Sequence, residues 1–409
     1  MTKPKKASGR GRKWDIYMLI AIYLNITMLV DLLRQIGANY FPPLYNGIEM
    51  IRNAAYVVIL GAALYSVRKK VPVFVIAVLI GELGVILYSL LMVPKAQPIF
   101  TQYLMMFFSR MLPGFILLYN HRDYEKLVDR LLRLWPVAVV YTVLSVIWTN
   151  TDNYMGFAYN IYVFSTFYLL CGLYRKHRGY LAVGALLTFA LFMWGARGAS
   201  LSEGVAVLAY LILNPKNKRV SRRMILLIVL VVIFLVVYLL YFERLVTYLY
   251  VQFPNARTIR KLYNGVFTNN SGRDDLYSAL MTEFAQHPFA VRGILADRIT
   301  LGDLRHGSVY SLNAYAHNLI VEILYQHGLI IGGGIIAALA FILLRSGRIC
   351  RQERSGSAFL IWVTLVPLAF TQLMVSSSYL TNYMFAAAVS LMAANAGVVR
   401  LRQGPGRGL

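Results

Sequence analysis

Charged residues are scarce in this chain of 409 residues: they make up 14% of it, whereas soluble globular proteins carry roughly 25%. Hydrophobic residues account for 58%, and they occur in long runs rather than at amphipathic spacing. About 20 apolar residues, at 1.5 Å each, cross the hydrocarbon core of a bilayer, so each run can be counted as a span. The composition excludes a soluble fold and predicts an all-α polytopic membrane protein.

Acidic residues are the scarcer charge class, with 17 Asp and Glu against 41 Lys and Arg and a formal net charge of +24. In a soluble protein that balance would indicate nucleic-acid binding. Here the basic residues do not form one binding face, because they are spread over short loops on alternate sides of the hydrophobic runs. This distribution is typical of membrane topology, and we expect no nucleic-acid partner.

Cysteine is nearly absent, with only Cys171 and Cys350, and both fall toward the predicted cytoplasmic side. No disulfide framework is therefore expected. The six histidines show no spacing typical of metal ligands, and we expect neither a metal nor another cofactor. The basic N-terminal segment leads into the first apolar run without a small-residue cleavage site, which predicts a retained first helix.

The apolar runs predict about twelve transmembrane helices. Lys and Arg are concentrated in every second loop, so both ends are expected in the cytoplasm. The predicted spans are 16–33, 51–67, 71–93, 98–119, 134–150, 156–174, 179–195, 199–213, 222–242, 317–345, 357–375 and 379–399. The tenth span contains three consecutive glycines at 332–334, where we expect a bend.

One large loop, 243–316, is predicted outside between spans nine and ten. It contains eight basic and six acidic residues, but long loops cross the membrane largely regardless of charge. A connection of this length in a compact protein is usually functional or disordered, and its apolar residues favour helices. The predicted organisation is a basic tail (1–13), helices one to nine (14–242), the outer loop (243–316), helices ten to twelve (317–399) and a second cytoplasmic tail (400–409).

The first candidate for chemistry is the segment from Gly195 to Leu201, between spans seven and eight. Its Arg197 is flanked by small residues at a predicted outer helix end. The planar donor fork of an arginine suits a phosphate. The ordinary alternative is an arginine that extends to the membrane interface without binding a ligand.

The second candidate is Ser271-Gly272-Arg273, which opens a predicted helix of the outer loop. Its ordinary alternative is a capped loop helix with Arg273 solvated or ion-paired.

The third candidate begins span ten with His317-Asn318, followed by Glu322. Histidine is suited to act as a general base near neutral pH, and residues four apart share a helix face. The alternative is a polar helix cap at the membrane interface.

Three further charged residues lie inside predicted spans: Glu82, Arg110 and Glu203. Charges in such positions are costly and often functional, although a structural Glu–Arg pair would explain them equally well. The chain has no phosphate-binding loop of the Gly-x-x-x-x-Gly-Lys type, no His-Glu-x-x-His and no Gly-x-Ser-x-Gly. An outward-facing site would also lack ATP, so a transfer reaction there needs an activated donor.

Taken together, the motifs resemble those of the bacterial O-antigen ligase and polymerase superfamily. The resemblance consists of Arg197-Gly198 at an outer helix end, Ser271-Gly272-Arg273 in a large outer loop, and His317-Asn318 with Glu322 ahead of His327-Gly328. Their order, spacing and topology agree with the family, and the twelve-span layout covers nearly the whole chain.

The resemblance implies a metal-independent glycosyltransferase on the outer face of the bacterial cytoplasmic membrane. Such enzymes move a glycan from an undecaprenyl-diphosphate carrier onto a hydroxyl acceptor. By resemblance, Arg197 and Arg273 bind the donor diphosphate, and His317 activates the acceptor, supported by Asn318 and Glu322. The implied partners are the lipid-linked glycan, a glycan or lipid-linked acceptor, the bilayer, and as further candidates a flippase and a chain-length regulator.

Whether the chain resembles a polymerase or a ligase more closely stays open. The spacing from Arg197 to Leu201 matches a ligase pattern, whereas Ile331 stands where ligases tend to have a small residue. The stretch from Arg292-Gly293-Ile294 to Asp297-Arg298 resembles surface-polysaccharide polymerases, which we favour. A twelve-span transporter or flippase is the alternative from another class, but the long loop is outside after span nine and the two halves do not match.

Overall fold

The computed structural model describes residues 15–148, 154–214, 244, 246–264, 273–305, 310–352 and 356–397. The regular structure within these ranges is helical throughout. The helices of the first half are α1 (Ile16–Leu24), α2 (Ile26–Tyr40), α3 (Pro42–Val67), α4 (Val73–Met92), α5 (Gln97–Met106), α6 (Leu112–Asn120), α7 (Tyr124–Leu132), α8 (Trp135–Ile147), α9 (Tyr154–Arg175), α10 (Arg178–Trp194) and α11 (Arg197–Leu213). A π-helical turn, Phe107–Met111, joins α5 to α6.

The second half contains both short and long helices. Three helices lie in the predicted outer loop, and three follow it. They are α12 (Arg257–Tyr263), α13 (Arg273–Gln286), α14 (Ala296–Arg305), α15 (Leu319–Gln352), α16 (Ser357–Val375) and α17 (Tyr383–Ala396).

Length and apolar composition allow five of the described helices to cross a membrane, or up to seven if each bent pair of helices is one span. The helices agree with an all-α membrane protein, and the number of twelve spans stays a prediction. The predicted ninth span, 222–242, lies outside the described residues. The predicted first span, 16–33, corresponds to α1 and α2, which are bent by 66° relative to each other. Between them, the side-chain amide of Asn25 donates to the carbonyl of Ala21 at 2.8 Å.

Helices α9 and α16 form the centre of the bundle: in each, 72% of the most apolar stretch of 18 residues is buried inside the protein. In helices α4 and α15 only 17% of the corresponding stretch is buried, so most of their apolar surface is available to lipid. Helix α17 packs against α6, α15 and α16. The segment 376–382, between α16 and α17, is therefore fixed to the most buried part of the protein.

Helix α15 is interrupted at Gly328, which has φ 70° and ψ 173°. The helix is thus broken four residues before the glycines at 332–334, where the sequence predicts the bend. A Cβ at position 328 would lie 2.9 Å from the carbonyl oxygens of both Phe289 and Ala290, so this close approach requires glycine. Next to the break, the amide of Leu329 donates to Pro288 O at 2.7 Å. The outer loop is thereby fastened to α15 just before α14 begins.

The charged residues inside the predicted spans do not pair with one another. The carboxylate of Glu82 accepts a hydrogen bond from the hydroxyl of Tyr103. The carboxylate of Glu203 accepts hydrogen bonds from Ser165 at 2.7 Å and from Thr188 at 2.5 Å. The alternative of a structural Glu–Arg pair therefore does not explain Glu82 and Glu203, since hydroxyl groups satisfy both carboxylates.

Candidate functional site

His317 lies two residues before α15. Its backbone has φ 53°, a conformation that residues other than glycine rarely adopt. Its side chain is half-buried, and its ring centroid lies 4.1 Å from that of Tyr315. The hydroxyl of Tyr277 donates to the carbonyl of His317 at 3.2 Å. Strained backbone is concentrated at functional sites, and here contacts from both sides hold His317 in place.

Asn318 caps helix α15. Its side-chain oxygen accepts hydrogen bonds from the amides of Ile320 at 3.0 Å and Val321 at 3.2 Å, and its carbonyl accepts from the amide of Glu322 at 2.9 Å. A cap of this kind typically contributes about 1 kcal/mol to helix stability. Asn318 therefore fixes the helix start immediately after His317.

Glu322 lies one turn into α15 and is fully buried. Its Oε1 accepts hydrogen bonds from Arg298 Nη1 and from Ser378 Oγ, each at 2.6 Å. The geometry therefore makes Glu322 a brace between the outer loop, α15 and the 376–382 segment.

Arg298, in α14, is also fully buried. Besides Glu322, its Nη1 donates to both carboxylate oxygens of Asp297 at 2.7 Å, and its Nη2 donates to Ser378. Burial opposes the guanidinium charge, but the carboxylates of Asp297 and Glu322 outweigh it and raise the pKa of Arg298. A charged arginine is thus held by two carboxylates in the interior.

The Arg298 guanidinium carbon lies 5.6 Å from the centroid of the Tyr315 ring, within the range of a cation–π contact. The hydroxyl of Tyr315 donates to the carbonyl of Ser376 at 2.8 Å. Tyr315 is therefore held by the buried arginine and by the 376–382 segment, and it in turn contacts His317.

Arg197 begins α11, and its side chain is exposed. The next residue, Gly198, allows the helix start to pack closely: a Cβ there would lie 2.7 Å from the Tyr159 hydroxyl and 3.0 Å from Val375 Cγ2. Tyr159 also hydrogen-bonds the side chain of Ser376. A Cβ at Gly198 would also lie 3.7 Å from Ser376 Oγ, so the start of α11 lies beside the residue to which Tyr315 is hydrogen-bonded.

Arg273 is the first residue of α13, and the preceding Ser271-Gly272 lies outside the described residues. One turn later, Tyr277 reaches the carbonyl of His317. Leu280 is fully buried, as expected for an apolar helical face in the outer loop. The three motifs found in the sequence, at Arg197, Arg273 and His317, are thus brought to one region of the structure through Tyr277, Tyr315 and Ser376.

Sequence reasoning did not anticipate Ser376, Ser378 or the burial of Arg298. The segment 376–382 lies where the predicted spans eleven and twelve meet, and it contains no Lys or Arg. One available signal was the setting of Asp297-Arg298, since this charged pair lies among the apolar residues Ile294, Leu295, Ala296 and Ile299.

Residues 182–337 match the family model described as O-antigen ligase. The matched region contains Arg197, Arg273 and His317, together with the buried pair Arg298 and Glu322. The search of curated proteins and the search of solved structures gave no match. Members of this family are enzymes that act on lipid-linked glycans in the membrane. The family match over residues 182–337 and the sequence motifs agree, and together they support the resemblance to the O-antigen ligase/polymerase superfamily.

Proposed function

We propose that the protein is a metal-independent glycosyltransferase that polymerises glycan repeat units carried on undecaprenyl diphosphate, at the outer face of the bacterial cytoplasmic membrane. The observation that carries the proposal is the convergence of the Arg197 helix start, the Arg273 helix and His317 through Tyr277, Tyr315 and Ser376. In the reaction, an acceptor hydroxyl forms a bond to the anomeric carbon of the donor glycan. The bond from that carbon to the diphosphate breaks, and the diphosphate departs on its lipid.

Arg197 and Arg273 are assigned to the donor diphosphate. As the glycosyl–oxygen bond breaks, negative charge grows on the diphosphate, and fixed guanidinium groups stabilise that charge without reorganisation. Two arginines thereby supply what a metal ion supplies in other glycosyltransferases. The exposed position of Arg197 at the start of α11 supports this assignment, because helix starts also direct free backbone N–H groups toward an anion.

His317 is assigned as the general base. A sugar hydroxyl is a poor nucleophile, and partial removal of its proton as the new bond forms accelerates such reactions by roughly 10²–10⁴-fold. The proton from the acceptor goes to the imidazole of His317. Asn318 and Glu322 support this role indirectly, because Asn318 caps the helix that follows His317 and Glu322 braces it against Arg298.

The topology is part of the proposal: about twelve spans, both ends in the cytoplasm, and the loop 243–316 outside, as the alternation of basic loops predicts. Reporter tags at residues 1, 350 and 409 should register in the cytoplasm, and a tag near residue 270 should register outside. A cytoplasmic signal from residue 270 contradicts both the topology and the outward-facing site.

The ligase function is the second candidate, because the matching family model is described as O-antigen ligase. The two functions differ in the acceptor. Purified protein in liposomes should receive the lipid-linked repeat unit either alone or together with a lipid A–core acceptor. Chains of several repeats formed from the lipid-linked unit alone support the polymerase. Transfer that requires the lipid A–core molecule identifies a ligase, and transport of the unit without a new glycosidic bond identifies a transporter.

A further inference from the structure

Arg110 is a cation inside a predicted span, 98–119, and it lies on the π-helical turn Phe107–Met111. Such turns are frequent at functional sites. The side chain is half-buried, with its guanidinium carbon 5.0 Å from the centroid of the Tyr56 ring. Among the residues that the structure describes, no carboxylate forms an ion pair with Arg110. An intramembrane arginine held only by an aromatic ring lacks the anion that such a position normally requires.

Arg52 lies one helical turn before Tyr56 on α3, so both arginines lie next to the same ring. Arg52 forms an ion pair with Glu49, but its Nε is buried and has no hydrogen-bond partner in the described part of the chain. The same carboxylate of Glu49 also binds Arg34. Within the described part of the chain, these contacts therefore join three guanidinium groups, of Arg34, Arg52 and Arg110, to one carboxylate, that of Glu49.

This cluster is connected to the candidate active site. The hydroxyl of Tyr23 donates to the carbonyl of Arg110 at 2.7 Å and lies 3.4 Å from the carbonyl of Tyr383. Tyr383 begins α17, directly after the segment 376–382. The other end of that segment carries Ser376, which accepts the hydrogen bond from Tyr315 beside His317. One short segment thus contacts both the region of His317 and the region of Arg110.

We propose that Arg52 and Arg110 form a second phosphate site, which binds the phosphate of a lipid-anchored acceptor. This proposal rests on the proposed function, because a transfer between two lipid-anchored molecules requires both to be held at the outer side of the membrane. The planar guanidinium fork matches phosphate oxygens, and the excess of positive charge leaves the cluster complementary to an anion. The donor diphosphate has its own arginines in the proposed function, Arg197 and Arg273. The acceptor phosphate belongs either to a polyprenyl diphosphate or to a phosphorylated glycolipid.

Binding can be measured without activity, by native mass spectrometry of the full-length protein in nanodiscs of a neutral phospholipid. The first probe is undecaprenyl diphosphate, and the second is lipid A with both phosphates. With a polyprenyl-linked acceptor, the wild-type protein should bind two molecules of undecaprenyl diphosphate, Arg110→Gln one, and Arg197→Ala also one. With a glycolipid acceptor, the wild-type protein should bind lipid A, and Arg110→Gln should weaken that binding at least tenfold (roughly one lost charge-assisted hydrogen bond).

Arg68→Gln is the matched control, because Arg68 also lies over a tyrosine ring of α3, at 3.6 Å from the Tyr65 centroid, but in a predicted cytoplasmic loop. This variant should bind both probes as the wild type does. Arg110→Lys should retain part of the binding, since it keeps the charge and loses the fork. Undecaprenol, which has no phosphate, should bind equally to the wild type and to Arg110→Gln.

The proposal is overturned if Arg110→Gln and Arg52→Gln bind both phosphorylated probes like the wild type. It is also overturned if phosphatidylglycerol occupies the site as tightly as either probe, because the cluster would then hold an ordinary membrane lipid. These outcomes are independent of the proposed function. If the protein forms no glycosidic bond in liposomes, the proposed function fails, while the binding measurement still decides whether the second phosphate site exists.

Discussion

The rings of Tyr315 and His317 lie with their centroids 4.1 Å apart, at an interplanar angle of 42°. The hydroxyl of Tyr315 is fixed to the carbonyl of Ser376 at 2.8 Å, and its ring lies 5.6 Å from the guanidinium carbon of Arg298. The proposed general base is therefore oriented by a ring that two distant parts of the chain hold in place.

Tyr315 should contribute to catalysis through both its ring and its hydroxyl. Tyr315→Phe keeps the ring and loses one hydrogen bond, which is worth about 1 kcal/mol, so kcat should fall by roughly fivefold. Tyr315→Ala also removes the contact with His317, and the loss should be much larger. Donor KM should change little in either variant, because the ring orients the base and does not bind the diphosphate. Equal kcat in the wild type and Tyr315→Ala would remove Tyr315 from the site.

The two proposed donor arginines should be needed for transfer but not for folding. Arg197→Ala and Arg273→Ala should each reduce kcat/KM by at least about 100-fold, comparable to the removal of one transition-state donor. Lysine at either position should recover only part of the activity, because it lacks the bidentate fork. Protein levels in the membrane should stay unchanged, and added EDTA should have no effect.

The control for these arginines is Lys95→Ala. Lys95 is an exposed cation of a predicted outer loop, and its ion pair with Asp303 at 3.0 Å is a surface pair. Such pairs contribute little, so activity should stay near the wild-type value. Full activity in both Arg197→Ala and Arg273→Ala, or EDTA inhibition that a divalent ion reverses, would contradict the metal-free donor site.

His317→Ala should stop polymer formation while the lipid-linked single repeat accumulates. The physical reason is the loss of proton removal from a weakly nucleophilic hydroxyl. The decisive comparison in this variant is between glycan transfer, measured by gel electrophoresis of the polymer, and binding of the lipid-linked donor. Donor binding without transfer supports the role of His317 as general base. Loss of donor binding would make His317 a diphosphate ligand, and transfer at the wild-type rate would reduce this helix start to a polar cap.

The buried pair of Arg298 and Glu322 should be important for stability. Arg298→Met leaves the carboxylates of Glu322 and Asp297 buried without their cation, which typically costs about 3–5 kcal/mol. Glu322→Gln should cost less, because the amide still accepts a hydrogen bond. The double variant should be less destabilised than the sum of the two single variants, with a coupling of about 0.5–3 kcal/mol. Thermal unfolding of the two single variants and the double variant in detergent measures these losses of stability. Strictly additive losses would show that the pair is not coupled.

Local sequence patterns predicted the helices well, because each membrane span corresponds to one continuous apolar run of the sequence. The predicted span 357–375 coincides with α16, and the polar start of the tenth span is an Asn318 cap. The contacts that organise the site were not predictable in this way. Arg298 meets Glu322 across 24 residues and Ser378 across 80, and periodicity contains no information about such pairing. The break at Gly328 depends on the docked carbonyls of Phe289 and Ala290, which also come from a distant segment.

Gly198 and Gly204 provide a matched pair of tests within α11. At Gly198, an added Cβ would lie 2.7 Å from the Tyr159 hydroxyl and 3.0 Å from Val375 Cγ2, whereas at Gly204 it would meet no atom within 4 Å. Gly198→Ala must therefore displace either the Tyr159 side chain or the start of α11, and overpacking of this kind typically costs about 1–3 kcal/mol. Gly204→Ala should be neutral or stabilising by up to about 1 kcal/mol, because alanine loses less backbone freedom in a helix.

If the donor diphosphate is held by Arg197 next to Ser376, Gly198→Ala should also raise the donor KM. Thermal unfolding together with donor titration separates the two effects. An unchanged donor KM in a destabilised Gly198→Ala protein would mean that this close contact supports the fold and not the position of Arg197.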